Sequence, residues 1–154
     1  MNPIMRILHL TRKFIYALFQ VKTQGVRIMV IRGSQILLIK STYHRYWVLP
    51  GGGVGKNETF DQAGRREVHE EAGIAVQSFS QALGTYQNNL EGRPDTVKVF
   101  ITDKWTDIGW KQTWEVLDRQ WFDMHKLPQS ISDPAKRRIE EYLSGKRNLH
   151  KNSW

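Results

Sequence analysis

Three glutamates, Glu67, Glu70 and Glu71, lie at spacings that bring them to one face if their segment is helical. Acids crowded in this way repel one another unless positive charge neutralises them. A hard divalent cation held through oxygen is the usual solution, and Mg²⁺ or Mn²⁺ suits carboxylate ligands. Such an ion gives access to phosphoanhydride chemistry. It offsets negative charge on phosphate oxygens that would repel a nucleophile, and it lowers the pKa of a bound water. A run of acids on a helix is more often a solvated face, so the residues around the glutamates decide the matter.

Those residues form a complete pattern. Gly52, Glu58, Arg66, Glu67, Val68, Glu70, Glu71, Gly73 and Ile74 read as Gly, five residues, Glu, seven residues, Arg-Glu-aliphatic, one residue, Glu-Glu, one residue, Gly-aliphatic. Chance would produce it roughly once in a billion starting points at average residue usage. The segment resembles the Nudix box without departure, and the chain is identified on it as a member of the Nudix hydrolase superfamily (MutT-like).

The resemblance implies an α+β chain with the Nudix fold, an α/β/α sandwich around a mixed β-sheet. It also implies hydrolysis of a nucleoside diphosphate linked to another moiety X, with water attacking phosphorus. Glu67, Glu70 and Glu71 match the family's metal ligands, which the carbonyl of Gly52 often joins. Glu58 and Arg66 match the pair that orients the site through a charge-assisted hydrogen bond. Many members take a further acid from outside the box as general base. Glu115, six residues ahead of Trp121 and before Leu127-Pro128, fits that pattern first. Other members carry the acid directly before the tryptophan, where this chain has Gln120; Asp118, Glu91 and Asp95 are the alternatives. His69 is expected to face solvent.

Substrate choice is weakly marked. The downstream proline of ADP-ribose hydrolases and the tyrosine of diadenosine polyphosphate hydrolases are absent from their windows, since Tyr86 falls too early and Pro94 too late. Tyr43, Tyr46 and Trp47 could stack a base or simply pack, as could Trp105, Trp110 and Trp114. Three functions follow: a pyrophosphohydrolase of nucleotides or nucleotide sugars, an RNA 5′-end pyrophosphohydrolase, or a catalytically silent nucleotide-binding module. An intact box argues against the last.

The elements that must position these residues are legible in part. Val26–Ile31 and Gln35–Ile39 flank the turn Arg32-Gly33-Ser34 and read as a hairpin. A short strand near Tyr46–Leu49 runs into Pro50 and three glycines, which end regular structure and allow close backbone approach. Thr59 and Gln62 form a capping box and Gly73 a left-handed stop, so a helix is predicted over Phe60–Ala72 with Val68 and Ala72 facing the core. Further strands are expected at Phe79–Tyr86, Thr96–Asp103 and Val116–Phe122. The Pro94 region and Trp105–Trp114 read as loops. Asp133 as cap, Pro134 at the first helical position and Gly145 beyond bracket a second helix through Arg137–Leu143.

A chain of 154 residues suits one domain with a full core. The organisation expected is an N-terminal amphipathic helix over 1–22, a catalytic domain over 23–145 and a basic tail over 146–154. With no cysteine, disulfides, zinc-thiolate sites and cysteine nucleophiles are excluded. A net charge of +8, concentrated at residues 6–22 and 136–151, favours polyanionic partners such as a nucleotide derivative or an RNA 5′ end. The apolar stretches of the first twenty residues are too short and too charged to span a bilayer. They suit packing on the domain or on a second copy, which leaves a homodimer open, and a cytoplasmic location is expected.

Overall fold

The computed structural model describes residues 23–42, 45–88, 95–151 and 154. The predicted helix over 1–22 lies outside them, as do Tyr43, Glu91 and Pro94. Among the described residues nine strands and two helices follow in the order β1 (Thr23–Arg32), β2 (Gln35–Ser41), β3 (Trp47–Val48), α1 (Phe60–Ala72), β4 (Ile74–Ser78), β5 (Gln81–Asn88), β6 (Asp95–Thr102), β7 (Lys104–Asp107), β8 (Val116–Asp123), α2 (Asp133–Leu143) and β9 (Leu149–Lys151).

Seven strands form a mixed sheet in the order β3-β2-β1-β6-β5-β9, with β8 on β2; β4 and β7 make a separate ribbon. β1 runs parallel to β6 in continuous register from Thr23↔Asp95 to Val30↔Thr102. Its pairing with β2 is confined to Ile31↔Ile36 and Arg32↔Gln35, beside the turn. β2 pairs with β8 along its whole length, from Gln35↔Asp123 to Ser41↔Val116, and with β3 at Ile39↔Val48 and Lys40↔Trp47. The hairpin therefore splays, and the glycine loop fills the opening: Gly52 and Pro50 carbonyls accept the Val26 and Ile28 amides at 2.9 Å, and Val54 N–H donates to Gln24.

The period-two alternation of strand side chains divides the core between two faces. Val26, Ile28 and Val30 pack with Leu37, Ile39, Ala63, Val68 and Ala72 under α1. Met29 and Ile31 pack with Ile36, Leu38, Leu83, Val99, Ala135 and Ile139 under α2. Each of the Val, Leu, Ile and Met side chains taken fully from water contributes about 1.5–3 kcal/mol, and burial on both faces fixes the register because a one-residue slip would invert every side chain.

α1 starts and stops as its sequence predicts. Thr59 and Gln62 form the reciprocal box, and Gly73 adopts φ 61° with its N–H on His69 O. Four expectations need correction. The start of the Trp105–Trp114 stretch, read as a loop, belongs to a strand over Lys104–Asp107, paired with a strand at Ile74–Ser78 for which no element was predicted; neither segment alternates strongly enough to show itself before its partner is known. The strand expected from Phe79 begins at Gln81. The cap of α2 is Ser132, whose hydroxyl accepts from Ala135 N–H, so Asp133 lies inside the first turn. Within the basic tail, Leu149–Lys151 adds to β5 as a parallel strand.

Candidate active site

The site is assembled where the splayed hairpin, the glycine loop and α1 meet. Gly51 has φ 136°, and a Cβ there would overlap the Val26 carbonyl oxygen. A Cβ on Gly52 would come within 2.5 Å of Glu67 Oε1. Glycine at position 51 lets the loop run against the β1 backbone, and glycine at position 52 leaves room for the Glu67 carboxylate.

Glu71 is the box glutamate whose carboxyl burial raises. Its Oε2 accepts the Gly51 N–H at 2.7 Å, its charge interacts with Arg27, and Glu67 and Glu115 bring like charge near it. Burial pushes its carboxyl up to about 7; the Gly51 bond and Arg27 oppose that shift, while Glu67 and Glu115 add to it. Arg27, on β1, is in turn drawn below its ordinary range by burial, against the stabilising charges of Glu71, Glu67 and Asp95.

Arg66 organises the outer part of the site. Its Nε and Nη2 grip the two oxygens of Glu58 at 2.8 and 2.9 Å, its Nη1 donates to Glu67 Oε1 at 2.7 Å, and Nη2 also reaches Gly53 O at 3.0 Å. Glu70 Oε2 lies 3.5 Å from Nη1. The guanidinium holds Glu58 at about 2, well below the usual carboxylate range, with help from the Gly55 N–H. A planar guanidinium can grip one carboxylate through two parallel bonds while a third N–H holds another, a fixed geometry that the compact ammonium of lysine does not impose.

The far end of α1 is pinned by two residues that motif reasoning missed. Trp110 Nε1–H donates to Glu71 O at 2.8 Å, and Arg119 donates to Ala72 O while pairing with Asp107 at 2.8 Å. Both satisfy helix-end carbonyls that would otherwise lack partners. Trp110 had stood only among the ambiguous aromatics.

A cavity of about 320 Å³ opens beside Glu71 and Gly51, lined also by Arg27, Ile39, Tyr46, Val48, Leu49 and Trp154. A second, of about 270 Å³, lies past Gly52 and Gly53 and shares Arg27 and Trp154 with the first. Arg27 and Trp154 had no sequence signal; a basic residue in a strand and a tryptophan far from the box become neighbours only through the fold.

The other sequence candidates are distributed unevenly. Glu115 is exposed, its carbonyl accepts the Thr42 N–H at 2.9 Å, and its charge reaches Glu71. Asp95 lines the second cavity. Asp118 is engaged locally with Arg119 N–H and Gln120. Trp47 is core and His69 is exposed. Gly52 O already accepts from Val26 N–H, which leaves its second lone pair.

The donor set fits a divalent cation by its chemistry: Glu58, Glu67, Glu70, Glu71 and Glu115 outnumber the guanidiniums Arg27 and Arg66, and the innermost carboxylate is raised by burial, with the like charges of Glu67 and Glu115 adding to the shift. Among the described residues no three acids converge on one point as they stand. Arg66 occupies Glu67, so an ion would share that carboxylate with it.

Fold and site together define a Nudix domain. The family's model, described as the NUDIX domain, matches residues 21–143, and the chain belongs to that family. Nudix hydrolases in general use divalent metals such as Mg²⁺. Over 132 residues the chain is 30% identical to "Putative 8-oxo-dGTP diphosphatase" of Bacillus subtilis (strain 168), covering 83% of this chain and 85% of that protein. It is 34% identical over 92 residues to "Diphosphoinositol polyphosphate phosphohydrolase 3-alpha" of Mus musculus, covering 54% of this chain and 56% of that protein. The chain thus spans little more than half the length of that relative. Among solved structures, a Nudix hydrolase from Nitrosomonas europaea superposes with a TM-score of 0.72 at 26% identity, covering 88% of this chain and 80% of that one. Among the described residues no helix is long and apolar enough to cross a membrane.

Proposed function

We propose that the chain is a pyrophosphohydrolase, dependent on Mg²⁺ or Mn²⁺, that cleaves the phosphoanhydride of a nucleoside diphosphate linked to a further group. The observation that carries this reading is the buried Glu71 carboxylate, fastened to Gly51 and flanked by Glu67 and Arg27 on the wall of a cavity of about 320 Å³.

Glu67, Glu70, Glu71 and the Gly52 carbonyl would hold the metal, which when bound neutralises phosphate charge and acidifies a water. Arg27 faces the same cavity and offers a guanidinium to phosphate oxygens. Arg66 holds Glu58 and Glu67 in fixed geometry. Glu115 accepts the proton of the attacking water, either directly or through one further water.

The cavity lining favours nucleotides over inositol polyphosphates. Ile39, Tyr46, Val48, Leu49 and Trp154 present apolar and aromatic surface, and Arg27 is the cation among the described lining residues. A ligand phosphorylated around its whole ring would need several cations there. A nucleotide brings an uncharged planar half and an anionic half, which matches this division.

The test is product release from nucleoside triphosphates, nucleotide sugars, dinucleoside polyphosphates, 5′-triphosphorylated RNA and diphosphoinositol polyphosphate, with Mg²⁺, with Mn²⁺ and with chelator. Metal-dependent cleavage of a nucleotide class supports the proposal. Cleavage of the inositol substrate alone, or nucleotide binding without any cleavage, overturns it.

A further inference from the structure

Trp154 lies outside the family's matched segment, yet it lines both cavities that flank the glycine loop. Its position follows from a chain of contacts. After α2, β9 joins β5 in parallel at Gly84↔Leu149 and Thr85↔His150. Gly84 permits this: a Cβ there would stand 2.7 Å from Leu149 O and 2.9 Å from the Tyr86 hydroxyl.

The indole is then held from behind. It meets the Tyr86 ring edge-on at 5.7 Å, and the Arg138 guanidinium lies 5.5 Å from its centroid and 3.9 Å from that of Tyr86. Arg138 is nearly fully buried and is paired with Glu141 at 2.8 Å, while Tyr86 donates to Glu141 at 2.8 Å. Arg137 donates to the main-chain oxygen of Trp154. A buried ion pair of this kind is retained at a desolvation cost, and its geometric effect here is to fix the aromatic stack.

We infer that Trp154 is the specificity-determining wall of the substrate cavity, stacking on the base of a nucleotide whose phosphates lie toward Arg27 and Glu71. The inference rests on the nucleotide reading above. The first cavity sets Ile39, Tyr46, Val48 and Leu49 with Trp154, beside Arg27 and Glu71; the second adds Gln24, Asp95 and Val97. An indole that lines the same cavity as Ile39, Val48, Leu49 and the exposed Tyr46, and as the charged pair Arg27 and Glu71, is placed to sort a planar base from a sugar or a bare polyphosphate.

The experiment compares the intact chain with Trp154→Ala and Trp154→Phe on a nucleoside triphosphate and on tripolyphosphate, which has no base. Binding of a non-hydrolysable α,β-methylene nucleotide is measured alongside by calorimetry. Expected for Trp154→Ala is a rise of about tenfold in KM and Kd for the nucleotide, the size of one lost base–aromatic stack. The change falls on KM rather than on kcat, the preference over tripolyphosphate drops by the same factor, and Trp154→Phe recovers most of it. Unchanged nucleotide KM and Kd in Trp154→Ala overturn the inference, as does an equal loss on both substrates, which would show a structural role. If the intact chain binds nucleotide through Trp154 but cleaves none, the hydrolase reading fails while this one stands. If it neither binds nor cleaves nucleotide, both fail.

Discussion

The Gly51 amide donates to Glu71 Oε2 at 2.7 Å, joining the glycine loop to the last turn of α1 across twenty residues of sequence. The bond makes loop and helix one unit. Whatever positions the loop against β1 also positions the innermost carboxylate.

Glu71→Gln and Glu70→Gln should each lower kcat by about 10²-fold or more, because a carboxamide is a far poorer ligand for a hard cation. The folds should survive, since Glu70 is exposed and a neutral group at position 71 removes a buried charge. Steady-state kinetics at saturating substrate with thermal melts check this, and near-normal turnover in either variant would refute the metal assignment.

The metal-free protein should lose stability as pH rises. Glu71 has a folded pKa of about 7 against an ordinary 4.5, so its contribution is fully present below 4.5 and is lost as pH passes through 7. The loss is on the order of 3 kcal/mol. Saturating Mg²⁺ should offset it, so the metal-induced rise in Tm grows between pH 5 and about pH 8. A metal-induced shift that does not vary with pH would mean that Glu71 does not ligate.

Gly51→Ala should destabilise the protein by about 2–4 kcal/mol, combining a disfavoured φ of 136° with overlap on the Val26 carbonyl. Urea unfolding measures the effect. Full stability would show that the loop can leave β1 without cost.

Arg66→Lys should retain the fold and reduce activity about 10- to 100-fold, as loss of outer-shell support to a ligand commonly does. Lysine keeps the charge but not the fork that holds Glu58 and Glu67 together. Metal titration should show weakened affinity in parallel.

Glu115→Gln should lower kcat by about 10²- to 10⁴-fold while leaving metal affinity close to the parent value. An unchanged rate would move the base to Glu67 or Asp118.

The sequence was most informative where chemistry is local. The bracketed limits of α1, the three glutamates and the Arg66–Glu58 pair all lie within one short segment, so spacing alone sufficed to bring them together. It was least informative where a partner supplies the meaning. β4 and β7 became strands by pairing with each other, and the basic tail became β9 because β5 offers an edge at Gly84.

By itself, then, the order of residues determined the family, the helix that presents the carboxylates and the hairpin that begins the sheet, because hydrophobic period, caps and motif spacing act over a few residues. Only the tertiary structure decided what stands opposite those carboxylates. Arg27, Trp110, Arg119 and Trp154 reach the site from separate strands and loops. Their roles depend on contacts between distant segments, which packing of the two core faces creates and which no local pattern encodes.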